Sequence, residues 1–83
     1  MKILSEAINS PIIHLDGRKY PGVLIQGDSL NNLKSLAKCA SKEILKQDFN
    51  EAKEVLDEIE GLLSSYLQIY EETLRANNID IPY

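Results

Sequence analysis

His14, Asp16, Asp28 and Ser29 are the residue types of a hydrolytic triad, and they fall close together in a chain of 83 residues. A triad works only when the three side chains are aligned beside an oxyanion hole, and no G-x-S-x-G elbow surrounds Ser29. Helix capping accounts for Ser29 more simply. Gln26-Gly27-Asp28-Ser29 stands where a helix should begin, and free N–H groups at such a point can hold an anion. Asp28 puts a carboxylate where that anion would sit, so capping is again the stronger reading. His14, Asp16 and Arg18 share one face if the stretch stays extended. That trio is either a pH-responsive cluster or the solvated side of a hairpin.

Charge offers two further candidates. Lys34, Lys38, Lys42 and Lys46 recur every fourth residue, a solvated basic stripe without the arginines and aromatics of a nucleic-acid surface. Glu51, Glu54, Asp57, Glu58 and Glu60 crowd one later stretch. Part of that density suits a helix start, and part could steer a basic protein partner. Exposed carboxylates lack the cleft that general acid–base chemistry needs to shift a pKa. One cysteine, Cys39, and one histidine fall short of a closed zinc site and exclude an intrachain disulfide. Cys39 reads as an ordinary thiol off the apolar face of its helix. No catalytic residue, metal or cofactor is therefore expected.

The elements that must position these residues form an α+β chain, mostly α. The expectation is a short N-terminal β-hairpin followed by a long antiparallel two-helix hairpin in a single domain. Residues 1–27 make the β-unit, 28–47 the first helix, 50–76 the second, and 77–83 an extended tail. Ile12-Ile13-His14-Leu15 is β-branched and apolar, and Asp16-Gly17 is a turn dipeptide. The turn is either tight there or a broad loop to Gly22. Pro21 marks an edge, a bulge or a strand entry before Val23-Leu24-Ile25. Residues 3–9 read as a short strand or one helical turn.

Gly27 is placed to take the positive φ of a reversal, with Asp28 or Ser29 as the cap. Leu30, Leu33, Leu36, Ala37, Ala40 and Ile44 make the expected core face of the first helix. Asp48 or Asn50 caps the second helix. There Ala52, Leu56, Ile59, Leu63, Tyr66 and Tyr70 form a seam, widened by Val55, Leu62 and Ile69. Gly61 either admits a neighbouring helix or is a tolerated exposed glycine. Asn77-Asn78 should end the helix. The second helix outruns the first, so the apolar overhang near Tyr66, Leu67, Ile69, Tyr70 and Leu74 needs the β-unit, the tail or a second chain to cover it; a mixture is expected, with a homodimer rather than a monomer.

Gly17-Arg18-Lys19-Tyr20-Pro21-Gly22-Val23-Leu24-Ile25-Gln26-Gly27-Asp28-Ser29-Leu30 resembles the core of a small bacterial family of unknown function (DUF6959-like), of the form G-R-x-[FY]-P-G-V-x-x-Q-G-D-[ST]-L. Asp16 stands where that pattern has Pro. The resemblance implies a bacterial cytoplasmic protein and brings no activity. It singles out Arg18, Tyr20, Gln26 and Asp28 as the family-specific surface.

An acidic chain, with net charge -4, suits neither nucleic acid nor anionic membrane as a partner. The N-terminus reaches Glu6 before any long apolar run, so no signal peptide is read there, and a reducing cytoplasm is the expected location. The function expected is a non-catalytic protein-binding module. An immunity-type protein that occludes a bacterial toxin is its concrete form, by analogy of class. Candidate binding residues are Arg18, Tyr20, Gln26, Asp28, Glu54, Asp57 and Glu58. The alternative is a structural or regulatory homodimer assembled through the second helix at Leu63, Tyr66, Ile69 and Tyr70. An enzyme with a site at the Gln26–Ser29 junction is the remote third.

Overall fold

The computed structural model describes residues 1–6 and 11–83. Three strands, β1 (Lys2–Ser5), β2 (Ile12–His14) and β3 (Gly22–Val23), precede two helices, α1 (Gly27–Leu45) and α2 (Phe49–Ala76). The strands form one antiparallel sheet in the order β1-β2-β3. The fold is α+β and mostly α, with a third strand added to the expected hairpin. Ile3 faces Ile13 across β1–β2, and Ile12 faces Val23 across β2–β3; the register slips between Ile3 and Ser5. Of the ambiguous stretch 3–9, the part up to Ser5 is strand, and 7–9 lie outside the described residues.

The chain forms two compact units, one of residues 1–26 and 65–83 and one of residues 27–64, with α2 running through both. The first unit holds the sheet, the end of α2 and the tail. Its centre is Ile12 of the middle strand with Tyr70 and Leu74 of α2, and Leu4, Val23, Ile69, Ile79 and Ile81 pack around them. Ile12 and Leu74 are wholly buried, each contributing about 1.5–3 kcal/mol relative to exposure. The overhang of α2 is thus covered by the sheet and the tail of the same chain.

The second unit is α1 with the first half of α2. Ala40, Ala52 and Val55 are buried, and Leu33, Leu36, Ile59 and Leu62 are half-buried. This stripe is turned from the expected one. Leu30 and Ile44 are about half exposed and Ala37 is exposed, while Cys39, expected off the apolar face, is partly buried. On α2 the seam passes through Ala52, Val55, Ile59 and Leu62, leaving Leu56 and Leu63 outside. Each helix carries more apolar surface than one neighbour can cover.

Both helices end in the same way. Gln47 takes a φ of 63°, its N–H reaches the Ile44 carbonyl at 2.9 Å, and the Asp48 N–H reaches Glu43 at 2.9 Å. Asn78 takes a φ of 55°, with Asn78 bonded to the Arg75 carbonyl and Ile79 to Leu74. These are Schellman closures, and the Leu74–Ile79 apolar contact is the one that usually accompanies them. Asp48 caps α2, its Oδ1 accepting the Glu51 N–H at 3.2 Å, with Glu51 in the reciprocal position of a capping box.

Candidate functional site

The β2–β3 connection is where exposed chemistry and concave surface coincide. The Leu15–Arg18 turn closes through an N–H of Arg18 to the Leu15 carbonyl at 3.2 Å, with Gly17 at φ 81°. That φ at the third position of a turn favours glycine strongly. The positive φ expected at Gly27 is absent; Gly27 is the first residue of α1. The chain then continues as a wider loop through Pro21 to β3, so the tight turn and the broad loop are both present.

This bend separates the expected His14–Asp16–Arg18 face. The His14 Nε2 donates to the Arg18 carbonyl at 2.7 Å, which fixes the tautomer and staples the loop across its base. Asp16 lies 3.0 Å from the Met1 amine instead, an exposed pair of small energetic weight. At the other end, the Tyr70 hydroxyl donates to the Pro21 carbonyl at 2.8 Å from the buried core. Burial raises the Tyr70 pKa above the ordinary phenol value, and the neighbouring Tyr20 adds to the shift. The loop is therefore anchored at Arg18 and at Pro21, and the segment between them is free to face outward.

Between the anchors lies an open cavity of about 320 Å³ lined by Ile13, Leu15, Arg18, Tyr20, Pro21, Gly22 and Val23. Its floor is apolar. Arg18 is exposed, its guanidinium without an ion pair among the described residues, and Tyr20 is partly exposed. The Lys19 ammonium sits 5.3 Å from the Tyr20 ring centre, a cation–π contact that orders the ring. Two cations, an aromatic ring and an apolar hollow can receive a carboxylate beside an apolar side chain.

The other candidate residues are placed as follows. Gln26 is exposed just before α1, and Asp28 lies in its first turn, its Oδ1 accepting the Ser29 N–H at 2.8 Å. α1 therefore starts ahead of the expected cap: Asp28 is its second residue and bonds only the adjacent N–H, so neither Asp28 nor Ser29 stands at the capping position. Glu54, Asp57 and Glu58 are exposed on α2, and Asp57 holds Lys53 at 2.9 Å. The bond to Asp57 raises the Lys53 pKa. Of the residues read as an oligomer contact, Tyr70 is buried in the core and Ile69 packs on that core while partly exposed; Tyr66 is half-buried and Leu63 exposed. The sheet, led by Ile12 of its middle strand, and the tail pack on that end of α2.

Sequence reasoning brought Arg18 and Tyr20 forward but missed Ile13, Leu15 and Lys19. The signal for Leu15 was an apolar residue directly before a turn dipeptide, where a polar one is the norm. A second, wider hollow of about 590 Å³ lies on α1 at Gly27, Leu30, Asn31, Leu33 and Lys34. Among the described residues no cluster of three His, Cys, Asp or Glu could hold a metal ion, and no helix is long and apolar enough to cross a membrane.

A small α+β scaffold with an anchored, outward-facing loop defines the class. The whole chain, residues 1–83, matches the Family of unknown function (DUF6959), and the protein belongs to that family. No curated protein and no solved structure matches it.

Proposed function

We propose that this protein is a non-catalytic protein-binding module of the cytoplasm, and that the β2–β3 loop is its recognition surface. The observation that carries the reading is the cavity beside Arg18 and Tyr20, both within the segment that resembles the family core. Its apolar floor suits an inserted side chain, and Arg18 with Lys19 suits a carboxylate next to it. The partner chemistry is therefore a protein loop that carries an acidic residue beside an apolar one. A bacterial immunity-type protein, which blocks a toxin by occupying its surface, is the concrete form of this role. Recognition of a basic partner by Glu54, Asp57 and Glu58 is the weaker variant, because Asp57 is already paired with Lys53.

Affinity capture with the whole chain as bait, run beside an Arg18→Glu/Tyr20→Ala bait, tests this. The partner should be lost from the variant and kept by an Asp57→Lys/Glu58→Lys bait. The reverse pattern would place recognition on α2. Catalysis at Gln26–Ser29 gains nothing from the geometry, since the exposed Asp28 carboxylate meets only the adjacent Ser29 N–H.

A further inference from the structure

Within the 27–64 unit, the apolar side chains left outside the buried stripe are regularly spaced, apart from Leu45, which is 85% exposed on another face. Leu30, Ala37 and Ile44 recur at heptad intervals on α1, and Phe49, Leu56 and Leu63 do so on α2. All are exposed, Phe49 at 63% and Leu56 at 48%. At about 100° per residue, each set centres about 80° from the buried stripe of its own helix, in the same rotational sense. The helices are antiparallel, so equal rotations bring both sets to one side of the hairpin. The short Lys46–Asp48 connection then aligns Ile44 with Phe49, Ala37 with Leu56, and Leu30 with Leu63. The result is a two-helix apolar strip, half of a four-helix bundle.

We infer that a second copy of this chain covers the strip. Five large side chains about half exposed present on the order of 500 Å² of apolar surface, the upper range for a monomer's largest patch. With its polar rim, the strip approaches the roughly 800 Å² per partner of a standard interface.

Charge selects the occupant. Lys34 borders the strip on α1 and Glu60 borders it on α2, so the two edges carry complementary charge. A two-fold axis along the hairpin lays α1 of one copy over α2 of the other, at matching levels. Lys34 then meets Glu60 of the second copy. Lys53, the one like charge on that rim, is held by its own Asp57 at 2.9 Å. The alternative axis would set lysines on lysines. Gly61 points away from the strip, and a Cβ there would meet no neighbour within the chain.

Light scattering on the full chain over a concentration series tests the inference. The expected result is twice the chain mass, with Leu56→Asp raising the dissociation constant about a hundredfold while helicity by circular dichroism is kept. Lys34→Glu should weaken the dimer about tenfold, and adding Glu60→Lys should restore it. This surface pair reads the interface even if Leu56→Asp fails to fold. A monomer at every concentration overturns the proposal, including a monomer whose strip is covered by a different protein. A dimer indifferent to both Leu56→Asp and Lys34→Glu overturns it as well. If Glu60→Lys fails to rescue Lys34→Glu, the α1-over-α2 arrangement is wrong.

Discussion

Tyr70 joins the core to the β2–β3 loop through one hydrogen bond to Pro21. Tyr70→Phe keeps the ring and removes the bond, and should cost about 1 kcal/mol in denaturant unfolding. Burial raises the Tyr70 pKa, so the folded state prefers the neutral phenol. The sign follows: this contribution is complete below the unfolded-state value and is lost as pH climbs from there through the raised folded value. Stability should therefore fall above about pH 10 in the wild type, and less steeply in Tyr70→Phe. Denaturant midpoints across that range read it directly. Gln47 carries a φ of 63° that a side chain resists. Gln47→Gly should stabilise the chain by about 1 kcal/mol, seen as a higher midpoint with an unchanged slope.

At the scale of elements, the ends of α2 were legible because capping is local, whereas α1 begins at Gly27, ahead of the Asp28 or Ser29 expected to cap it. Asp48, one of two candidate caps beside Asn50, takes the role through the Glu51 N–H, and Asn77-Asn78 announces the end. Asp48→Ala should cost about 1 kcal/mol. Gly61 sits mid-helix with open space around its Cα, so Gly61→Ala should gain about 1 kcal/mol and raise the melting temperature by about 4–8 °C. The phase of each helix was not legible. Leu30, Leu56 and Leu63 have the same spacing logic as Leu33, Ile59 and Leu62, and sequence does not say which set meets the neighbour. Strand β1 was half legible, since four residues give too short a pattern to separate strand from helical turn. Gly17, not Gly27, takes the positive φ because the sharp reversal lies at the β2 end, whereas α1 begins directly after an extended run.

For the whole molecule, the sequence showed a helix pair attached to a β-unit, and it showed that the overhang of α2 needed cover. It did not show that the sheet and tail provide that cover, because those contacts join residues far apart in the chain, such as Ile12 with Leu74. Arg18 and Tyr20 were legible as candidates through a family-like motif, while the cavity between them depends on the His14 and Tyr70 anchors, which only the folded chain reveals. The central claim is that partner recognition resides on the β2–β3 loop. Amide hydrogen exchange of the full chain, with and without its captured partner, tests it most directly. New protection should map to residues 15–23 and spare residues 51–60. Protection confined to the acidic stretch of α2, with the loop unchanged, would contradict it.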